Sequence, residues 1–303
     1  MSDYMIELRD VTHAYKTDAG PLPVLDHLSL QIPENRFCAV VGPSGCGKST
    51  LTRLVSGLMR PNKGEVWLHG QKVTSPRPTV GMAFQNPVLL EWRTILQNIM
   101  LPMEIVKSPM SKAQATERAH HLLDLVGLTG FADKRPSELS GGMRQRASLC
   151  RSIIHKPDVL ILDEPFGALD AFTREDLWCT MHDLREEEPF TCLLITHDLR
   201  ESVFLADQVI VMSDRPAHAQ YVLDVDLPGK RTLDDLYTVQ AVKMLATLRH
   251  EIQVAQGRAT AADAPDPHVP DPHVPDRQVP DPQVPDPAPG QRGDKSTTPG
   301  ALQ

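Results

Sequence analysis

No C-x-x-C pair occurs among the 303 residues: Cys38, Cys46, Cys150, Cys179 and Cys192 stand apart, so neither a zinc knuckle nor a disulfide framework is suggested. Reduced thiols in a cytosol fit that spacing. The sequence also lacks any apolar run near the roughly 18 residues a membrane span requires. Its opening, MSDYMIELRD, lacks the basic and apolar regions of a signal peptide, so a soluble chain is expected, with a membrane partner left open. Clustered Lys and Arg are missing too, and the net charge of −8 argues against a broad electrostatic grip on nucleic acid. What is present, 41% hydrophobic residues over this length, can bury one substantial core, with a lobe attached.

Periodicity places that core. Tyr4 to Tyr15 and Val24 to Ile32 alternate loosely between apolar and polar, as in half-buried antiparallel strands. Phe37 to Val41 is apolar throughout and bounded by Gly42, the pattern of a parallel strand buried on both faces. A helix should follow from Gly47 to Leu58. Past Gln85, Thr94 to Val106 and Lys112 to Val126 carry helical spacing with no strand between them, which predicts a helical lobe of about 87–137. Strand character returns at Val159 to Leu162, Thr191 to Ile195 and Val209 to Met212, each separated by a helical segment, the βα alternation of a parallel sheet. The expected layout is a domain over 1–215, a short cap over 216–256 with a small strand and a helix from Leu233 to Val254, and a tail over 257–303. That tail repeats every five residues, as in "PDPHVPDPHVP". Its proline density removes backbone donors and predicts disorder rather than a packed core.

Three motifs carry chemistry. Gly42, Pro43, Ser44, Gly45, Cys46, Gly47, Lys48 and Ser49, followed by Thr50, match G-x-x-x-x-G-K-S/T between a strand and a helix. Such a turn points successive backbone N–H groups inward at a nucleotide's phosphate chain, with the helix N-terminus adding partial positive charge. Lys48 should reach the β- and γ-phosphates, and Ser49 should bind Mg²⁺. "VLILDEP" drives a strand into the core and delivers Asp163 and Glu164 at its C-terminal end, where ligands of parallel sheets gather. Asp163 suits Mg²⁺, and Glu164 suits the water that attacks the γ-phosphorus. In "LSGGMRQR", Ser140 can cap a helix whose first turn holds Gly141 and Gly142. Each glycine costs roughly 1 kcal/mol against alanine, so a close approach to that backbone is expected.

With "MAFQNPVLL" around Gln85, "GALD" ending at Asp170 and "ITHD" around His197, these motifs in this order resemble the ATP-binding subunits of ABC transporters. The resemblance spans about Ile6 to Ser213. It implies a P-loop ATPase core of parallel sheet and helices, with an antiparallel β subdomain and an inserted α-helical subdomain. It further implies that Tyr15 stacks on adenine, that Gln85 senses metal and water, and that His197 contacts the γ-phosphate. Leu139, Ser140, Gly141, Gly142 and Met143 would form the signature that closes on a partner's nucleotide in a head-to-tail homodimer, with Asp170 aligning the subunits. "FQNPVLLEWRTILQNIMLPMEI" is most similar to subunits of nitrate, sulfonate and taurine importers, although Glu91 stands where proline is usual. Leu89, Leu90 and Trp92 would then help form a groove for a membrane-spanning permease. The chain would act peripherally at the cytoplasmic face of the inner membrane, with a solute-binding protein as an indirect partner. A soluble relative acting on nucleic acid or ribosomes is the alternative; it usually carries a coiled coil or a second cassette, and neither is seen here.

Overall fold

The computed structural model describes residues 4–260 except 108 and 168, and the repeats fall outside the described residues. The two alternating segments at the start pair antiparallel as β1 (Tyr4–Thr17) and β2 (Gly20–Pro33). The chain then enters a second sheet through β3 (Phe37–Val41) and turns into α1 (Lys48–Val55). It returns to the first sheet as β4 (Lys63–Leu68) and β5 (Gln71–Lys72), giving the order β2-β1-β4-β5.

Next come β6 (Val80–Ala83) and three helices, α2 (Ile95–Ile99), α3 (Leu101–Ile105) and α4 (Lys112–Leu125). α5 (Gly141–Ile153) leads back to β7 (Val159–Asp163), α6 (Ala171–Glu187), β8 (Thr191–Ile195), α7 (Leu199–Leu205) and β9 (Gln208–Met212). An antiparallel edge strand, β10 (Ala219–Asp224), and α8 (Val239–Ala255) complete the described chain. The second sheet has the order β10-β9-β3-β8-β7-β6 and is parallel except at β10.

Continuous apolar runs bury both faces of that sheet. Phe37, Ala39 and Val41 join a cluster with α5 and α6, whereas Cys38 and Val40 join one with α1 and the first sheet. β7 and β8 divide the same way: Leu160, Leu162, Cys192 and Leu194 face one side, and Val159, Ile161, Leu193 and Ile195 the other. The loops after β3, β7 and β8 are thereby anchored by strands that cannot slip by a residue without swapping side chains between two differently packed cores.

The helical stretch departs from the sequence reading in one place. The expected helix from Thr94 to Val106 is two short helices, because Pro102 enters the first turn of α3 and has no N–H to continue α2. Thr94 and Gln97 form a reciprocal cap at the start of α2, as Ser111 and Gln114 do for α4. The helix expected from Leu233 opens instead as a 3-10 turn, Leu233–Tyr237, and α8 begins where the Thr238 hydroxyl accepts from Ala241 N–H at 3.2 Å. β4, β5 and β6 had no strong signal, being short, partly exposed or interrupted by glycine.

Contact between β6 and α5 depends on a glycine. A Cβ at Gly81 would lie 2.1 Å from the Ser152 carbonyl oxygen, in the last turn of α5. Gly81→Ala is therefore expected to force the two elements apart and cost about 1–3 kcal/mol of stability, read as a lower thermal midpoint. An unchanged midpoint would show that β6 and α5 separate freely.

Candidate active site

The turn after β3 is shaped by what its glycines avoid. Gly42, Gly45 and Gly47 have φ of 153°, 77° and 122°. A Cβ at Gly42 would stand 2.8 Å from the Met212 carbonyl oxygen, and one at Gly47 would stand 2.7 Å from Val24 Cγ1. Pro43 and Cys46 are buried in the turn, Ser44 and Gly45 are exposed, and burial pushes the Cys46 thiol upward against the pull of Lys48. Lys48, only 8% exposed, donates from Nζ to the carbonyls of Gly42 at 2.8 Å and Pro43 at 2.9 Å. From β1, the Tyr15 hydroxyl meets Thr50 Oγ1 at 3.1 Å, beside the same turn.

β7 delivers its carboxylates to this place. Ser49 Oγ and Thr52 Oγ1 each lie 3.4 Å from the Asp163 carboxylate, on separate oxygens. Burial pushes the Asp163 carboxyl up, and the Ser49 hydroxyl draws it back. Glu164 turns sharply with φ of 49°, a conformation uncommon outside glycine, and its N–H donates to the Ile195 carbonyl at 2.9 Å. Its Oε2 accepts from Gln85 Nε2 at 3.0 Å and lies 3.3 Å from His197 Nδ1. Gln85, the adjacent pair Asp163 and Glu164, and His197, three places far apart in sequence, thus gather around one turn.

The remaining sequence candidates lie elsewhere in the chain. Ser140 caps α5, its hydroxyl accepting from Met143 N–H at 3.3 Å; Ser140 and Gly141 are exposed, whereas Leu139 is buried. A Cβ on Gly142 would come 2.9 Å from Leu169 Cδ2. Asp170 caps α6 by accepting from Thr173 N–H at 3.0 Å, a bond that holds its carboxyl below the usual range. Among the described residues no hydrogen bond joins 139–143 to the 42–50 turn.

Comparison with known proteins decides the family. Residues 25–167 match the ABC transporter family. The chain is 41% identical over 229 residues to the bicarbonate transport ATP-binding protein CmpD of Synechocystis, covering 76% of this chain and 81% of that protein. The chain belongs to the ABC transporter family. The nitrate import ATP-binding protein NrtD of Synechococcus elongatus is 44% identical over 207 residues, covering 68% of this chain and 76% of NrtD. A dimeric post-hydrolysis structure of the ATP-binding cassette MJ0796, bound to ADP and Pi, superposes with a TM-score of 0.67 at 28% identity. It covers 74% of this chain and all of that one. The fold is thus that of the ABC family's ATP-binding, ATP-hydrolysing cassette.

The oxygen donors near the turn have the chemistry a Mg²⁺ site would need. Ser49 Oγ, the Asp163 carboxylate and the Gln85 side-chain oxygen are hard ligands, of the kind Mg²⁺ takes beside phosphate oxygens. Sequence reasoning missed Thr52 on Asp163, although its place one turn after Lys48 on α1 could have suggested it. It also missed Glu201, which with Asp198 spells a D-x-x-E helix start. Asp198 does cap α7, accepting from Arg200 N–H at 2.9 Å. Glu201, instead of lying at the surface, is 3% exposed, and burial holds its carboxyl well above the usual range.

A carboxyl raised by folding stabilises the native state below its unfolded value, near 4.5, and loses that contribution as pH rises towards the raised value. Glu201→Gln keeps the shape without the ionisation. It is expected to raise the thermal midpoint relative to the parent at pH 8 and to change it little near pH 4. Equal effects at both pH values would contradict a buried neutral acid.

Proposed function

We propose that this chain energises an importer of a small oxyanion or organosulfonate by hydrolysing Mg-ATP in a head-to-tail homodimer. The observation that carries the proposal is the convergence of Gln85 and His197 on Glu164, at a strand end adjoining the Lys48 turn. In this reading Glu164 is the base for the attacking water, His197 and Lys48 meet the γ-phosphate, and Tyr15 carries adenine. Ser49, Asp163 and Gln85 would hold Mg²⁺, which would supply positive charge beside the phosphate oxygens. Residues 1–215 form the cassette, with 87–137 its helical part and 216–256 a cap.

The exposure of Ser140 and Gly141, with no hydrogen bond to the 42–50 turn among the described residues, supports a pocket shared by two copies. Exposed N–H groups at the start of α5 suit an anion. Ser140, Gly141 and Gly142 would grip the γ-phosphate bound to the other copy, and Asp170 would align the pair. Charge-assisted hydrogen bonds of roughly 1.5–3 kcal/mol each would then hold the dimer only while that phosphate remains. Phosphate release opens the dimer because the closed state has lost the ligand that favours it.

The names of CmpD and NrtD support bicarbonate or nitrate as the class of cargo, alongside the sulfonates and taurine suggested by sequence. No described helix is long and apolar enough to cross a membrane, so transport would rest on a permease, with a solute-binding protein acting through it. The expected docking groove needs one correction: Leu89 is only 8% exposed and packs in the core, while Trp92 is 73% exposed. The chain would then lie peripherally on the cytoplasmic face of the inner membrane.

Glu164→Gln is expected to bind ATP, accumulate as a dimer by light scattering, and hydrolyse about 10²- to 10⁴-fold more slowly than the parent. Hydrolysis at the parental rate would remove Glu164 from the role of base. Trp92→Ala should weaken co-purification with the permease while basal ATPase stays nearly unchanged; intact co-purification would place the docking surface elsewhere.

A further inference from the structure

We infer that Arg174 is a positioning residue, which fixes the loop bearing Asp170 against the loop bearing His197. Its guanidinium, in the first turn of α6, donates from Nη2 to the Leu169 carbonyl at 3.0 Å and from Nη1 to Asp198 Oδ2 at 3.1 Å. The two acceptors are the immediate neighbours of Asp170 and His197. A planar fork can span two such loops at a fixed separation, whereas a single point charge cannot.

Both loops are tied down at their other ends. On the β7 side, Glu164 N–H bonds the Ile195 carbonyl, and Gly167 N–H closes back on the Glu164 carbonyl at 3.3 Å. On the β8 side, Thr196 N–H bonds the Val40 carbonyl at 3.2 Å, and Asp198 N–H donates to Thr196 Oγ1 at 2.9 Å. Asp198 is further held by capping α7. Among the described residues, the segments after β7 and β8 are therefore bridged by the Glu164 pairings at one end and by Arg174 at the other.

Loss of Arg174 would leave the first bridge as a hinge. His197, 67% exposed and held to Glu164 by one 3.3 Å contact, would then shift relative to the reacting phosphate. The same movement would release Leu169, which lies against Gly142 of the signature. Arg174 thus links the signature side of one chain to its γ-phosphate side without touching nucleotide. Two buried polar atoms of this cluster, Arg174 Nε and Glu201 Oε1, have no hydrogen-bond partner among the described residues, so the arrangement is not closed on itself.

The inference rests on the ATPase reading above and is tested by steady-state ATP hydrolysis of the full chain. Arg174→Ala should lower kcat by about tenfold or more with KM for ATP changed less than about threefold, because the Lys48 turn is untouched. Arg174→Lys should recover part of the loss by reaching one acceptor. Asp198→Asn keeps a capping side chain for α7, so it decides the matter if the alanine variant fails to fold. It should reproduce the fall in kcat, and the double variant should be no slower than the worse single one. Parental kcat in Asp198→Asn, a KM rise that accounts for the whole loss, or multiplicative effects in the double variant would overturn the inference. A parent chain that does not hydrolyse ATP would instead sink the ATPase reading itself.

Discussion

Parallel pairing of β3, β8 and β7 is the constraint on which the site depends. β7 and β8 pair over all five residues, β3 pairs with β8 over Phe37–Val40, and the apolar residues of all three are buried on both faces, so the three loops that follow emerge at one edge in fixed register. The 42–50 turn, the Asp163–Glu164 pair and the His197 segment each follow one of these strands. β6 pairs with β7 and brings Gln85 from the far side. Slippage by one residue in any of these strands would exchange side chains between the two differently packed cores and displace the loop that follows, so fold stability and site geometry rest on the same hydrogen bonds.

Glu164 shows how local and global demands meet. Its left-handed backbone is unfavourable for a residue with a side chain, yet its N–H is secured by Ile195 and its carboxylate by groups from two other loops. Strain of that kind persists where surroundings over-determine it, and it aims the carboxylate back across the turn rather than along the strand. Asp163, one residue earlier and in ordinary strand geometry, points to Ser49 and Thr52. Two adjacent acids are thereby directed at different partners by a single backbone reversal.

Much of this could be read from the residues. Apolar runs at Phe37–Val41, Val159–Leu162 and Thr191–Ile195 announce buried parallel strands because nothing in them tolerates water. The glycines of the turn after β3 announce themselves by number and spacing. β4, β5 and β6 were not legible, since short strands with exposed residues owe their place to partners distant in sequence. The break between α2 and α3 was legible in principle at Pro102, but continuous apolar spacing on both sides concealed it. Arg174, Asp198 and Glu201 escaped notice because a charged residue in a polar helical stretch looks like surface until its burial and partners are known.

Lys48 rests on the carbonyl oxygens of its own turn, nearly shielded from water. A buried ammonium so accommodated is no bare charge awaiting neutralisation, and phosphate oxygens would take over from carbonyl oxygens as its neighbours. In the reading proposed above, an anionic phosphate displaces neutral carbonyls, so what Lys48 gains on capture is the difference between a charge-assisted contact and the two contacts it gives up.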